Sequence, residues 1–337
     1  MTEAETAAVA TTTPQKKSFF HSDAAQKILA FAALFMMFVV FSLASPNFFQ
    51  FTNIVGILLA TAVNGVLALG ATFVIITAGI DLSVGTVMTL SAVMSGVFVT
   101  FFGLPIPLGI LAGLGTGALA GLVNGIVITK MRIPPFVATL GMLYIAKGLA
   151  LVISGLKPIY FTDTPSFSQI ATGSILGAII PGFDIPNAVL LFFGAGLVAY
   201  FVLNKTVLGR YTFAMGSNEE ATRLSGVNVD RWKTAVYTLA GAFAGLGGVI
   251  MAARLNSAQP ALGAGYELDA IAAVVIGGTS LSGGEGTILG TIIGAFVISV
   301  LTNGLRILSV PQEWQIVVTG AIVILAVYAD TLRRRQA

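Results

Sequence analysis

The sequence predicts an all-α, polytopic membrane protein, and three observations lead to this prediction. Charged residues make up 9% of the chain, against about 25% in a typical soluble domain, and the mean hydropathy is +0.95. Apolar runs long enough to cross a hydrocarbon core of about 30 Å recur from Ile28 towards the C-terminus. The alternating pattern of a membrane β-barrel is absent, and backbone groups in lipid need internal partners, so these runs should be helices.

Taken in order, the chain predicts a polar cytoplasmic tail at residues 1–27, a transmembrane domain at 28–330 and a basic cytoplasmic tail at 331–337. The first apolar run lacks a small-residue cleavage pattern, so we interpret it as a retained span. About ten spans are predicted, at residues 28–44, 54–78, 84–102, 108–128, 135–153, 188–203, 234–252, 267–279, 288–303 and 313–330. The run at 267–279 is too short to cross comfortably and is expected to be re-entrant or half-buried.

The basic residues predict the orientation of these spans. If the N-terminus is cytoplasmic, thirteen of the seventeen lysines and arginines fall on the cytoplasmic side. The positive-inside rule therefore predicts that both termini are cytoplasmic. The loop at 155–187 then lies outside, either as a lid or docking surface or, as we favour, as a plain connector.

Four glycines recur at every fourth position of the predicted fourth span: Gly109, Gly113, Gly117 and Gly121. Small residues at this spacing allow two helix backbones to approach closely. Tight packing within one subunit is favoured over a seam between two subunits.

A weak internal repeat relates one segment in each half of the chain. The sequence GIDLS at 79–83, followed by Gly-Thr, is echoed by GTSLS at 278–282, also followed by Gly-Thr. Each copy lies between two apolar runs, and the predicted topology makes the copies parallel. Repeated halves are common in transporters and place the pathway near the breaks between helices.

Asp81 is the only charged residue between Lys27 and Lys130, which makes it a candidate pathway residue. It would act there, with Ser83, as a hydrogen-bonding group for a polyhydroxylated substrate or as part of a gate. The alternative, which we favour, is that Asp81 and Ser83 cap the helix that begins near Val84.

A second candidate pathway group lies at residues 253–269. Proline and glycine prevent a continuous helix there, which leaves uncharged donors and acceptors beside acids at the membrane edge; its members are Asn256, Ser257, Gln259, Glu267 and Asp269. Such groups suit sugar hydroxyls. Simple pairing of Arg254 with Glu267 or Asp269 is an equally weighted alternative.

The loop at 204–233 concentrates charge between apolar runs, and short amphipathic helices are predicted near 218–225 and 230–233. Its segment EATRLSG at 220–226 resembles the EAA-x-x-x-G signature of ABC importer permeases, with Thr222 in place of the second alanine. In that family the motif forms a coupling helix that docks on the ATPase. We expect Gly226 to end this helix with a left-handed turn.

The wider sequence resembles the ribose-type permeases of monosaccharide ABC importers from residue 45 to residue 330. The resemblance rests on SPNFF at 45–49, AGIDLSVG at 78–85, LGRY at 208–211, GSNEEATRLSGVNV at 216–229, NGL at 303–305 and the long stretch at 253–287. It implies a multi-pass, homodimeric permease of the bacterial inner membrane that works by alternating access. The implied partners are an ATPase with tandem nucleotide-binding domains, a periplasmic sugar-binding protein and a second permease copy. Ribose is the expected sugar, with arabinose, xylose, galactose or a polyol as alternatives.

The resemblance also implies which residues couple the permease to its ATPase. These are Arg210, Glu219, Glu220, Ala221, Arg223 and Gly226. They face the cytoplasm in the predicted topology.

Other functional classes find little support in the composition. The chain has no cysteine and one histidine, His21, so neither a metal site nor a nucleophile set is expected, and no cofactor is implied. The glycine-rich stretch at 277–284 lacks the lysine of a phosphate-binding loop, so the chain is not expected to hydrolyse ATP. The net charge of +3 reflects membrane orientation and gives no case for nucleic acid. An ion-coupled secondary transporter that uses Asp81, Glu267 or Asp269 is the competing class, and a membrane-embedded enzyme is a weaker one.

Overall fold

The computed structural model describes residues 23–182 and 184–335, and these residues form an all-α membrane protein. The helices are α1 (Asp23–Ala44), α2 (Phe51–Ile76), α3 (Val84–Gly96), α4 (Ile106–Lys130), α5 (Pro135–Ile153), α6 (Gln169–Thr172), α7 (Ile175–Ile179), α8 (Asn187–Lys205), α9 (Val207–Ser217), α10 (Glu219–Leu224), α11 (Val229–Leu255), α12 (Tyr266–Ile276), α13 (Ile288–Ile307) and α14 (Gln312–Arg335). A π-helical turn, Val97–Phe101, extends α3, and a 3-10 turn, Pro165–Phe167, precedes α6. Two short strands, β1 (Ile159–Tyr160) and β2 (Ser257–Ala258), form an antiparallel pair.

Within the described ranges, seven helices are long and apolar enough to cross a membrane. They are α2, α3 with its π-helical turn, α4, α5, α8, α11 and α13, which match seven of the ten predicted spans. The other three predicted spans correspond to α1, α12 and α14. In α1 and α14 the apolar segments found among the described residues are Ala30–Ala44 and Gln312–Leu325. Helix α12 has 11 residues, a length of about 16 Å, which is well below the thickness of the hydrocarbon core.

The largest differences from the sequence predictions lie where polar residues meet helices. Residues 230–233 were predicted as a separate short helix, which is wrong, because they form the first turns of α11. Helix α9 was not predicted. The predicted tails also overlap helices: α1 begins at Asp23 and α14 continues to Arg335, while residues 1–22, 336 and 337 lie outside the described residues.

The centre of the bundle is the pair α4 and α11. The glycine face of α4 packs directly on the backbone of α11, so that a side chain at Gly117 would meet the carbonyl of Gly241 and one at Gly121 would meet the carbonyl of Tyr237. The prediction that these glycines pack within one subunit is confirmed. The close approach brings van der Waals contacts between two backbones, which is how helices associate when lipid removes the hydrophobic driving force.

One end of the bundle gathers the break between α2 and α3 together with the α9–α11 region. The N–H of Gly284, between α12 and α13, donates a hydrogen bond of 2.9 Å to the carbonyl of Ile76 at the end of α2. Lys130 at the end of α4 lies 3.7 Å from the carboxylate of Asp230 at the start of α11. Four connections of the chain therefore meet at this end.

The opposite end joins the long loop at 155–187 to the stretch that follows α11. Strand β1 of the loop pairs with β2, and the N–H of Phe161 donates to the carbonyl of Asn256 at 3.3 Å. The amides of Asn53 and Asn303 also bond each other at this end, at 3.0 and 3.1 Å.

The irregular stretch at 256–265 runs from this end into the bundle along α3. Ala258 lies beside Gly96, the Leu262 carbonyl accepts a hydrogen bond of 2.8 Å from Thr89 Oγ1, and Gly263 packs against Gly85. The stretch therefore runs antiparallel to α3, and α12 begins only where the stretch reaches the start of α3.

Candidate coupling surface and pathway residues

Helix α10 is a short helix with a defined cap at each end. The side chain of Asn218 accepts a hydrogen bond of 2.9 Å from the N–H of Ala221 and so satisfies a free donor of the first turn. At the other end Gly226 has φ of +85°, and its N–H donates to the carbonyl of Arg223 at 3.1 Å. The predicted left-handed turn at Gly226 is confirmed.

A chain of alternating charges holds α10 against the transmembrane helices. Glu219 accepts from Lys233 at 2.6 Å and from Arg223 at 3.2 Å. Arg223 also lies 3.2 Å from Asp230, which in turn faces Lys130 of α4. These five side chains, which we call the coupling clamp, link α10 to both members of the central α4–α11 pair.

The Glu219 carboxyl is charged over a wide pH range. Burial raises its pKa, but the hydrogen bonds and positive charges of Lys233 and Arg223 outweigh burial, so that the pKa lies below its ordinary value. The stabilisation from the clamp is therefore present above the ordinary glutamate pKa of about 4.3 and is lost as the pH falls through the lowered value.

The structure divides the predicted coupling residues into two groups. Glu219 and Arg223 turn towards the chain's own helices through the coupling clamp. Glu220 and Ala221 are exposed, and Glu220 has no ion-pair partner in the described part of the chain. Arg210 is exposed on α9, the helix before α10.

Sequence reasoning missed Leu224, whose side chain is 83% exposed at the end of α10. An apolar side chain in a polar loop next to the capping glycine was the available signal. Its exposure adds an apolar contact point to the charged surface of α10.

Asp81 and Ser83 form a hydrogen-bonded turn at the start of α3. Asp81 Oδ1 accepts from the N–H of Ser83 at 2.8 Å and from its hydroxyl at 2.6 Å. Both residues are buried. Neither side chain accepts an N–H of α3 itself, so the predicted capping role is not seen; the bonds of Asp81 instead close the turn that precedes α3.

Two further polar groups surround this turn, and no local sequence pattern predicts either of them. Asn124 of α4 donates to Ser83 Oγ at 3.0 Å. The hydroxyl of Tyr237 in α11 is fully buried beside Gly79, and it has no hydrogen-bond partner among the described residues. The break between α2 and α3 is thus lined by polar groups from both members of the central helix pair.

The second predicted pathway group follows α11. Asn256 ends α11 in the left-handed conformation with φ of +50° and is exposed. Gln259 Nε2 donates to Ser257 Oγ at 2.9 Å, which leaves the amide oxygen of Gln259 for other partners. Asp269 is half-buried in the first turn of α12.

Glu267 brings the two predicted pathway groups together. Its Oε1 accepts from the N–H of Gly265 at 3.1 Å, and its Oε2 is buried with no partner in the described ranges. That oxygen lies against Gly85, two residues after Ser83. The predicted coupling residues do not join this cluster.

The alternative role for Arg254, pairing with an acid of α12, is not seen. No ion pair within 4.0 Å joins Arg254 to Glu267 or Asp269 among the described residues. The guanidinium instead approaches the carbonyl of Leu59 in α2, with Nη1 at 3.5 Å.

Comparison with known proteins shows which family the chain belongs to. Residues 53–327 match the family described as "Branched-chain amino acid transport system / permease component". The chain is 42% identical over 307 residues to the ribose import permease protein of Escherichia coli K12, which covers 90% of this chain and 92% of that protein. It is 43% identical over 320 residues to the ribose import permease protein of Bacillus subtilis, covering 94% and 96%, and 37% identical over 324 residues to the fructose import permease protein of Rhizobium meliloti, covering 95% and 88%.

No solved structure matches the chain. The family match spans the central helix pair, the coupling clamp and both pathway groups. With these similarities and its long apolar helices, the chain belongs to this family of transport-system permease components and is a multi-pass membrane protein.

Proposed function

We propose that this chain is the transmembrane permease subunit of an ATP-driven ABC importer that carries ribose across the bacterial inner membrane. The observation that carries the proposal is the similarity to two ribose import permease proteins, at 42% and 43% identity over at least nine-tenths of each chain. The chain contributes the passage, and ATP hydrolysis takes place in a separate subunit with tandem nucleotide-binding domains.

The coupling surface supports an alternating-access mechanism. The exposed residues Arg210, Glu220, Ala221 and Leu224 meet the ATPase, while the coupling clamp passes its movement to α4 and α11. A helix that is capped at both ends and ion-paired to α11, whose Asp230 also pairs with Lys130 of α4, moves with these helices as one body. At the opposite end, the loop at 155–187 and the beginning of the stretch at 256–265 face a periplasmic sugar-binding protein. A second permease copy completes the passage.

The proposed topology has ten crossings, with both termini in the cytoplasm. Helices α1, α12 and α14 supply the three crossings beyond the seven long helices, and α12 crosses together with the irregular stretch at 256–265. The end of the bundle that holds Lys130, α9 and α10 is then cytoplasmic, as the distribution of basic residues favours.

An internal repeat of the α2–α3 and α12–α13 connections is supported by matching turns. Both α2 and α12 end with the same pair of backbone hydrogen bonds, and a side-chain oxygen then accepts the N–H two residues later in each copy. In the first copy the N–H groups of Ala78 and Gly79 donate to the carbonyls of Ile75 and Val74, and the N–H of Ser83 donates to Asp81 Oδ1. In the second copy the N–H groups of Gly278 and Thr279 donate to the carbonyls of Val275 and Val274, and the N–H of Ser282 donates to Ser280 Oγ.

We place the moving wall of the passage where the two pathway groups meet. The start of α3, with Asp81 and Ser83, contacts the second group through glycine backbone and the carboxylate of Glu267. Asn256, Gln259 and Asp269 supply the uncharged and acidic groups that exchange hydrogen bonds with sugar hydroxyls. The backbone contact between Gly85 and Gly263 allows the two segments to slide past each other more easily than interlocked side chains would.

The test is ATP-dependent uptake by liposomes that contain this chain, its ATPase and its binding protein. Ribose, fructose, galactose and xylose are compared, since relatives named for each of these sugars match the chain. Uptake of ribose in preference to the others is expected. Preference for another sugar would remove the ribose assignment, and uptake that needs no ATP but is abolished by an uncoupler would replace the ABC mechanism with an ion-coupled one.

A further inference from the structure

Lys147 of α5 is a charged side chain in an unusual position. Among the seven long helices, it alone carries a charge more than five residues from either helix end: it lies 12 residues after Pro135 and 6 residues before Ile153. A charge at such a depth is costly in lipid, and it is normally directed into the protein or into a water-filled space.

The Lys147 side chain is not directed into its own chain. It is exposed, whereas Ala146 and Ala150 of the same helix are fully buried against the bundle. None of the ion pairs found in the described residues involves Lys147. The ammonium group therefore lies outside the packed core of this subunit.

Extension of the side chain to the membrane surface is also unfavourable. The nearer end of α5 is about 9 Å away along the helix axis. In an α-helix each Cα–Cβ bond tilts towards the N-terminus, so the Lys147 side chain starts in the direction of the farther end, about 18 Å away. The ammonium group would have to turn back to reach the nearer surface.

We propose that Lys147 faces the water-filled sugar passage and donates hydrogen bonds there to the hydroxyl groups of the passing sugar. A second copy of this chain supplies the opposite wall, because no described residue of this subunit covers Lys147. Tyr144, one turn earlier and 68% exposed, adds a hydroxyl and an aromatic surface to the same wall. An ammonium carries three donors and no acceptor, which suits neutral polyhydroxylated substrates. The proposal rests on the proposed sugar-import function.

The absence of cysteine from the chain allows a direct test. Lys147→Cys and, as a control, Leu149→Cys are each prepared in the complete complex in liposomes. Leu149 is 45% exposed, lies within about 3 Å of Lys147 along the axis and points about 160° away around the helix. A charged, membrane-impermeant methanethiosulfonate should modify the cysteine at 147 much faster than the one at 149. Equal rates, faster reaction at 149, or no reaction at either position would overturn the proposal.

Uptake measurements supply an independent readout. Loss of a charge-assisted hydrogen bond predicts that Lys147→Cys lowers ribose uptake by roughly tenfold, while Leu149→Cys leaves it unchanged. Modification with 2-aminoethyl methanethiosulfonate restores a lysine-like ammonium and should restore uptake, whereas a sulfonate reagent should not. Normal uptake by unmodified Lys147→Cys would overturn the proposal. Failure of the unmodified wild-type complex to import any sugar would instead refute the proposed function, and the two labelling rates would still test the exposure of Lys147 to water.

Discussion

Gly226 ends α10 with φ of +85°, a conformation that costs a β-branched residue far more than glycine. A Cβ at this position would meet nothing within 4 Å, so backbone conformation alone limits the choice of residue. Gly226→Val is expected to abolish ATP-driven uptake without removing the protein from the membrane. Gly226→Asn is the control and should retain most uptake, because asparagine tolerates the left-handed conformation. Normal transport by the valine variant would remove the coupling role from α10.

Asp81 uses one carboxylate oxygen to accept both hydrogen bonds from Ser83. The amide oxygen of asparagine accepts the same bonds, so Asp81→Asn should retain most uptake. Asp81→Val removes a buried acceptor and should lower the free energy of unfolding by roughly 1–3 kcal/mol, measured as a lower melting temperature in detergent. If Asp81→Asn folds normally but loses most uptake, the carboxylate charge itself acts in the pathway.

At the scale of elements, the coupling clamp predicts different functions for the adjacent residues Glu219 and Glu220. Glu219→Gln leaves Lys233, whose side chain is only 12% exposed, without its ionised partner. We expect ATP hydrolysis by the complex to continue while sugar uptake per ATP falls. The lowered pKa of Glu219 means that this difference should persist unchanged between about pH 6 and 8.

Glu220→Gln is the matched variant for this prediction. It leaves the clamp intact and changes only the exposed surface, so it should weaken association with the ATPase, measured by co-purification. Equal effects of the two variants on both measurements would contradict the division of roles.

The α4–α11 contact predicts opposite effects at two neighbouring glycines. Gly117→Ala places a methyl group against the carbonyl of Gly241 and should destabilise the protein by about 1–3 kcal/mol. Gly115→Ala meets nothing within 4 Å and should be neutral or stabilise by up to about 1 kcal/mol. Thermal unfolding of the two purified variants in the same detergent measures both. A more stable Gly117→Ala variant would show that the helices separate easily.

For the whole molecule, the proposed topology predicts the location of fused reporters. Green fluorescent protein at the C-terminus should fluoresce, because the proposed topology places that end in the cytoplasm. Alkaline phosphatase fused after Lys157 should be active, because the same topology places the loop at 155–187 in the periplasm. The reverse pattern would invert the orientation and place α10 on the wrong side for an ATPase.

Hydropathy predicted most of the helices, because an apolar run in lipid satisfies its backbone hydrogen bonds by forming a helix. The turn at Gly226 was predictable from the backbone conformations that glycine allows. The exceptions have tertiary causes. Helix α9 mixes apolar and polar residues at the membrane edge, so neither length nor hydropathy marked it. The approach of Asn124 and Tyr237 to the turn at Asp81 depends on the packing of α4 and α11, which no local pattern records.

The position of α11 in the bundle also delays completion of the central helix pair during biosynthesis. In the folded bundle α11 packs on Gly117 and Gly121 of α4, and its Gly241 and Ala244 line the same small cavity as Asp81. About 125 residues separate Lys130 from Leu255, so at 5–20 residues per second the ribosome needs roughly 6–25 s to supply the missing helix. During that interval the Asp81 carboxylate and the α4 glycines Gly117 and Gly121 lack their packing partner and face lipid or a chaperone. A nascent chain arrested before Val229 therefore exposes these polar and glycine surfaces to the quality-control machinery of the membrane.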